Sequence, residues 1–102
     1  MELVLTGRRI SATEAHEAGL VNVVAKEKAW LEEAKELAGR IAERPPIAAR
    51  LAKQAVIAAD ETALSAGLEM ERRLYELSMA TEDRVEGMRA FIEKRKPDFK
   101  GK

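Results

Sequence analysis

Apolar and polar residues follow a helical period along most of the chain. From about residue 26 to residue 44, apolar residues recur three or four positions apart with charged residues between them, which predicts an amphipathic helix. Its apolar face comprises Trp30, Ala34, Leu37, Ala38, Ile41 and Ala42. The segment 46–60 is apolar on nearly all sides, which is typical of a helix buried by more than one neighbour. A further helix is predicted at 63–79, where apolar residues form two stripes.

Two short helices are predicted before these. Residues 1–6 have helical character and are followed by Gly7, a residue that favours helix termination. Ser11 followed three positions later by Glu14 is a capping-box sequence, and it predicts a helix at 12–18. Residues 1–6 lack an N-terminal cap, so we interpret them as the cut end of a longer helix. The alternative is a frayed native N-terminus.

Threonine residues mark the starts of two later helices. Thr62 and Thr81 are the expected N-terminal caps of these helices. Gly67, inside the first of them, costs roughly 1 kcal/mol against alanine, which favours a close helix crossing at this position. The helix after Thr81 has acidic residues in its first turn, where the helix dipole stabilises negative charge. Regular structure is expected to end at Pro97.

One short segment lacks the helical period. The β-branched run Leu20-Val21-Asn22-Val23-Val24 is expected to be extended, but it is too isolated to build a sheet within this chain. The sequence therefore predicts a mainly α fold of five to six helices with no sheet of its own.

The composition predicts a modest hydrophobic core. Alanine accounts for 18 of the apolar residues, and the chain holds one Trp, one Tyr and two Phe. Alanine favours helix but buries little apolar area per residue. We therefore expect the core to be completed by another subunit or another domain.

Charge and residue content exclude several classes of protein. The net charge is zero, although residues 94–102 hold five cations and one acid, so a globally basic nucleic-acid binder is not expected. Without cysteine there is neither a disulfide framework nor a thiolate metal site. No apolar run approaches the ~20 residues of a membrane span, and the acidic start Met1-Glu2 is unlike a signal peptide. A soluble cytoplasmic protein is expected.

No constellation typical of an active site is present. His16 is the one histidine, it lies between the acids Glu14 and Glu17, and no catalytic partner is apparent, so a solvated surface position is expected. The serines occur outside any nucleophile-elbow sequence, and no carboxylate spacing matches a metal loop. We therefore expect no catalytic and no metal-binding residue in this chain.

The end of the chain is the best candidate for ligand binding. At helical spacing, Met88, Phe91 and Arg95 share a face, and Lys94 lies three positions after Phe91. An aromatic ring beside cations can stack on an adenine and pair with its phosphates. The cations Lys94, Arg95 and Lys96 can equally well complement the dipole at a helix C-terminus. The residues alone make the dipole explanation the simpler one.

Several segments, taken in order, resemble one known family. The segments are Glu2-Leu3-Val4-Leu5-Thr6-Gly7, Ala15, Gly19-Leu20-Val21-Asn22, Pro45-Pro46, Lys53-Gln54-Ala55, Gly67-Leu68, Glu71, Thr81-Glu82-Asp83, Glu86-Gly87-Met88, Ala90-Phe91 and Glu93-Lys94-Arg95-Lys96-Pro97. The end of the chain resembles the C-terminal signature of enoyl-CoA hydratases in the crotonase superfamily, and the resemblance covers essentially the whole chain.

The resemblance implies an organisation for the whole protein. Residues 1–102 would be the C-terminal helical, trimerising region of a hydratase. The α/β core, with two glutamates and an oxyanion hole, would precede it. Such an enzyme hydrates a 2-enoyl-CoA to a 3-hydroxyacyl-CoA, as in fatty acid β-oxidation, and assembles into trimers or hexamers. The CoA thioester is its substrate and no other cofactor is implied. By the same resemblance, this chain alone would be inactive.

The resemblance also implies roles for residues of the last segment. Residues 80–102 would form a CoA-contacting helix and a basic tail. Phe91 would pack on the apolar part of CoA, and Lys94 would pair with a phosphate. Arg95 and Lys96 would add to the positive field.

The alternative is a stand-alone helical module for binding or oligomerisation, without enzymatic activity. Residues 11–22 superficially resemble the start of a helix-turn-helix. The β-branched Val21 and Val23, placed where a recognition helix should begin, argue against that interpretation, as does the neutral net charge.

Overall fold

Six α-helices make up the regular structure, and no strand is present. The computed structural model describes all residues from 1 to 102. In chain order the helices are α1 (Glu2–Thr6), α2 (Ala12–Glu17), α3 (Trp30–Ala42), α4 (Pro46–Glu61), α5 (Leu64–Met79) and α6 (Glu82–Ile92). The predicted mainly α fold is confirmed. The chain divides into two compact units, residues 1–36 and 37–102.

In the first unit, α1 and α2 begin and end with local hydrogen bonds. Gly7 ends α1 in the left-handed conformation, with φ 65°, and its N–H donates to the carbonyl oxygen of Leu3 at 3.0 Å. The hydroxyl of Ser11 accepts the N–H of Glu14 at 3.1 Å, as predicted. The carboxylate of Glu14 pairs with Arg8 at 2.7 Å, so only the serine half of the capping box is formed.

The segment between α2 and α3 is longer than predicted. Residues 18–29 form neither helix nor strand, and α3 begins at Trp30, although the periodicity predicts a start near residue 26. Lys28 is the reason, because its φ of 64° is left-handed and cannot continue a right-handed helix. The N–H of Lys26 donates to the carboxylate of Glu33 at 3.1 Å, which fixes this turn.

The length of this segment excludes the helix-turn-helix interpretation. That motif joins its two helices by a turn of about 3–4 residues, whereas 12 residues separate α2 from α3. No recognition helix follows α2.

In the second unit, α4 and α5 pack against each other around a tight corner. The prediction that Thr62 caps α5 is wrong. Its hydroxyl donates to the carbonyl oxygen of Ala58 at 2.8 Å and so closes the end of α4, while Ala63 precedes α5 without a side-chain cap. Gly67 faces this corner, because a Cβ added there would lie 3.0 Å from the hydroxyl of Thr62.

The core is small, as the composition predicts. The buried apolar residues are Ala58 on α4, Leu74 on α5 and Ala90 on α6. Large apolar side chains remain exposed, among them Val56 at 70% and Leu68 at 55%. None of the helices has both the length and the hydropathy needed to span a bilayer.

Candidate functional site at the C-terminal end of α6

Helix α6 begins as the sequence predicts. Thr81 is its N-cap, and the threonine hydroxyl accepts the N–H of Arg84 at 3.2 Å. Glu82 and Asp83 occupy the first turn, where the unpaired N–H groups and the helix dipole stabilise negative charge.

Helix α6 ends earlier than predicted, and the chain then reverses. The last helical residue is Ile92, whereas regular structure was expected to reach Pro97. The N–H of Lys94 donates to Phe91 at 3.3 Å, and the N–H of Arg95 donates to Ala90 at 3.0 Å. This pair of hydrogen bonds is a Schellman motif, which satisfies the last carbonyl groups of a helix.

The reversal places Lys94 in an unfavourable backbone conformation. Its φ is 54°, in the left-handed region that the chain also uses at Gly7 and Gly19 to end α1 and α2. A residue with a Cβ costs roughly 1–2 kcal/mol there, which glycine avoids. The helical spacing that placed Arg95 on the face of Phe91 is therefore wrong, because the helix stops before Arg95.

Arg95 is already paired with carboxylates of the same chain. Its guanidinium donates to both oxygens of Glu86, at 2.6 and 3.0 Å, and to Glu93 at 2.6 Å. This bidentate pair lowers the pKa of Glu86 to about 2, with a further contribution from the N–H of Asp98. The same two carboxylates raise the pKa of Arg95.

Lys96 is paired more loosely, and Lys94 is not paired at all. The ammonium group of Lys96 lies 2.7 Å from the carboxylate of Glu43, and this contact lowers the pKa of Glu43. Both side chains are exposed, so the pair is weak and readily exchanged. Lys94 is exposed and makes no ion pair or side-chain hydrogen bond within the chain. Of these three consecutive cations, it is the one without a partner in the chain.

Exposed apolar side chains lie on the last turns of α6. Phe91 is 85% exposed and Ile92 is also largely exposed. Ile92 lines a shallow depression of about 400 Å³ together with Val85 and Met88. The helix ends between Phe91 and Lys94, so helical spacing does not place the ring beside the ammonium group either.

The residues after the reversal fold back along α6. We call residues 96–102 the strap. The carboxylate of Asp83 accepts the N–H groups of Lys100 and Gly101 at 2.7 and 2.8 Å. The N–H groups of Glu82 and Asp83 donate to the backbone oxygen of Lys102 at 2.8 and 3.2 Å. The strap therefore joins the end of the chain to the first turn of α6.

Further contacts hold the strap along its length. The N–H of Asp98 donates to Glu86 at 3.0 Å, and the ring of Phe99 lies over Gly87, where an added Cβ would be 3.4 Å away. Gly101, with φ 72°, lies against Pro46 at the start of α4.

The whole chain matches one family. The enoyl-CoA hydratase/isomerase family model covers residues 1–102. The chain belongs to the enoyl-CoA hydratase/isomerase family.

Comparisons of sequence and structure with individual family members support this assignment. The 2,3-dehydroadipyl-CoA hydratase of Escherichia coli K12 is 48% identical over 99% of this chain and 40% of its own length. The mitochondrial enoyl-CoA hydratase of Pongo abelii is 48% identical over 98% of this chain and 34% of its own length. The crystal structure of the Bacillus anthracis enoyl-CoA hydratase superposes with a TM-score of 0.93 at 50% identity, over 99% of this chain and 39% of that chain. This enoyl-CoA hydratase/isomerase family chain therefore spans two fifths or less of these relatives.

The resemblance to the enoyl-CoA hydratase/isomerase family predicts four CoA-binding residues in this chain. Phe91 and Lys94 are exposed and lie close in sequence across the end of α6, whereas Arg95 and Lys96 are engaged by carboxylates. Their contact with CoA stays a prediction. His16 is exposed, as expected, and no group of three or more acidic or histidine residues is arranged to hold a metal ion.

Sequence reasoning missed Asp83 and Glu86 as partners of the strap. Asp83 is 2% exposed, while its neighbour Glu82 is exposed, and both fit the first turn of a helix equally well. The one local signal was Gly101, since a glycine after Pro97 in a basic tail permits the left-handed turn that brings its N–H to Asp83.

Proposed function

We propose that residues 1–102 form the C-terminal helical region of an enoyl-CoA hydratase, where they support subunit assembly and complete the CoA site. The reaction proposed for the whole enzyme is hydration of a 2-enoyl-CoA to a 3-hydroxyacyl-CoA. Membership of the family over the whole chain supports the proposal, as do the hydratase names of the relatives. In this proposal, the groups that carry out the chemical step lie outside residues 1–102.

The state of Lys94 is the observation that carries the CoA proposal. The left-handed conformation there is unfavourable for lysine and would suit glycine, and the ammonium group has no partner in the chain. A phosphate of CoA would supply the missing partner through a charge-assisted hydrogen bond. Phe91, exposed on the preceding turn, would cover an apolar part of the same ligand.

The substitution Lys94→Gly separates this proposal from a structural role. Glycine removes roughly 1–2 kcal/mol of left-handed strain and adds about 0.5–1 kcal/mol of unfolded-chain entropy, so we expect equal or greater stability. Loss of the ammonium group should weaken CoA binding by about 1.5–3 kcal/mol, roughly tenfold or more. Urea unfolding of the chain measures the first effect, and calorimetric titration of the whole enzyme with CoA measures the second.

Lys100→Ala is the matched control for charge. Lys100 lies in the same basic segment, its ammonium group pairs with Asp98 at 2.6 Å, and alanine keeps the N–H that Asp83 accepts. In the whole enzyme we expect this variant to bind CoA nearly as well as the unaltered protein. Equal weakening by both substitutions would show a general electrostatic attraction and would remove Lys94 from the site.

A further inference from the structure

One side of α6 is buried, and the opposite side is apolar but exposed. Asp83 and Ala90 are the buried residues of this helix. At 3.6 residues per turn, Val85, Met88 and Ile92 lie on the other side, and all three side chains are exposed. Apolar side chains at positions i, i+3 and i+7 are the usual anchors of a helix that binds in an apolar groove. This apolar face of α6 has no partner within the chain.

The depression between α4 and α5 has the lining that such a face requires. Its large residues are Val56, Leu64 and Leu68, and its volume is about 250 Å³. The small residues that line it are Ala55, Ala59 and Gly67. Small side chains leave room for those of an incoming helix. The three large side chains are mostly exposed, so no segment of this chain fills the depression.

One charged residue lines the depression, and it is unpaired. Glu71 makes no ion pair and no side-chain hydrogen bond within the chain, although Glu69 and Glu76 on the same helix are paired with arginines. A carboxylate beside an apolar surface loses water when that surface is covered, which costs free energy unless a cation meets it. We therefore expect the depression to receive a helix face that is apolar and carries a cation.

The apolar face of α6 carries such a cation. Arg84 lies one turn before Met88 on this face, is exposed, and makes no ion pair within the chain. Arg89 also borders the face, but it lies close enough to Glu86 to contribute to the low pKa of that carboxylate. Arg84 is therefore the guanidinium available to a carboxylate of another molecule.

We propose that the apolar face of α6 docks into the α4–α5 depression of a second copy of this chain, where Arg84 of one copy pairs with Glu71 of the other. The contact joins two different surfaces, so it is made reciprocally in a two-fold dimer or once per subunit around a ring. It covers apolar side chains on both copies and gives each unpaired charge a partner. The proposal rests on the proposed function, because it names the surfaces through which the subunits assemble.

The test exchanges the two charges in the whole enzyme. Glu71→Arg alone and Arg84→Glu alone each bring like charges together at the contact, whereas the double substitution restores an opposite pair. We expect each single substitution to weaken association by about tenfold or more and the double substitution to recover most of the loss. Mixing the two single variants should also recover association, because each supplies the charge that the other lacks. Analytical ultracentrifugation over a range of concentrations measures these effects.

Two features separate a lost contact from a damaged fold. Arg84→Glu places an acid three residues after the N-cap Thr81, where it completes a capping box and favours α6. Glu36→Arg is the matched control for Glu71→Arg, since Glu36 is an exposed helical glutamate that lines neither surface. We expect Glu36→Arg to leave association unchanged. Urea unfolding of every variant measures the stability of the fold.

The other outcomes overturn the proposal in distinguishable ways. Single substitutions that lower stability and leave association unchanged would show that each polypeptide covers its own depression. Weakened association without recovery in the double variant would exclude the pairing of Arg84 with Glu71. An enzyme that assembles equally well in every variant would exclude this interface alone. An unaltered enzyme that stays monomeric would also remove subunit assembly from the proposed function.

Discussion

At the scale of single residues, the ion pair between Glu86 and Arg95 links the end of α6 to the pH of the solution. The folded chain lowers the pKa of Glu86 from its ordinary value of 4.5 to about 2. A carboxylate with a depressed pKa stabilises the folded state fully above its ordinary pKa. That stability is lost as the pH falls from about 4.5 towards 2, since the unfolded chain takes up the proton first.

Replacing Glu86 by glutamine should therefore flatten the acid limb of the stability profile. Free energies of unfolding from urea titrations at several pH values between about 5 and 2 should fall less steeply for Glu86→Gln than for the unaltered chain. Glu82→Gln, at an exposed carboxylate without a side-chain partner, should retain the steeper slope. Identical slopes for Glu86→Gln and the unaltered chain would show that the pair with Arg95 does not hold in solution.

At the scale of elements, the α4–α5 corner explains why a glycine is kept inside a helix. Alanine in place of Gly67 gains about 1 kcal/mol of helix propensity. Its Cβ would lie 3.0 Å from the hydroxyl of Thr62, whose hydrogen bond to Ala58 is worth about 0.5–1.5 kcal/mol. We expect Gly67→Ala to be neutral or destabilising, and to become stabilising by about 1 kcal/mol in a Thr62→Ala background.

Gly39 in α3 provides the control for this effect. No atom lies within 4 Å of a Cβ added there, so Gly39→Ala should stabilise the chain by roughly 1 kcal/mol in either background. Thermal or urea unfolding of the four combinations of glycine or alanine at position 67 with threonine or alanine at position 62 measures the coupling between these two positions. Equal gains from Gly67→Ala with and without Thr62 would show that the corner does not require the glycine.

The elements also show how far the sequence determines the fold. The caps at Ser11 and Thr81 were predictable because each hydroxyl accepts an N–H only three residues away. The start of α3 was not, because Lys28 adopts a left-handed conformation that nothing in its residue type requires.

The candidate site was only partly predictable, for the same reason. Phe91 and Lys94 are candidates because the end of the chain resembles that of the family, whereas the burial of Asp83 depends on N–H groups 17 and 18 residues later in the chain. Contacts over such separations are set by tertiary packing, which helical periodicity does not encode.

At the scale of the whole molecule, many large apolar side chains remain exposed, because the core is small and buries few of them. Val56, Leu64 and Leu68 border a depression of about 250 Å³ along α4 and α5, and all three side chains are largely exposed. Contiguous exposed apolar surface of this kind is typical of a site that another protein surface covers. Together with the proposed function, this surface predicts that the chain self-associates.

Analytical ultracentrifugation over a range of concentrations tests that prediction. We expect it to detect species with at least three times the mass of one chain. Leu68→Glu should shift the distribution towards monomer without loss of helical circular dichroism, because Leu68 is exposed in the single chain. Leu74→Glu is the contrasting control, since a charge at this buried position should unfold the chain. If Leu68→Glu unfolds the chain as Leu74→Glu does, Leu68 stabilises the monomer and the self-association argument fails. A chain that stays monomeric at every concentration would exclude self-association directly.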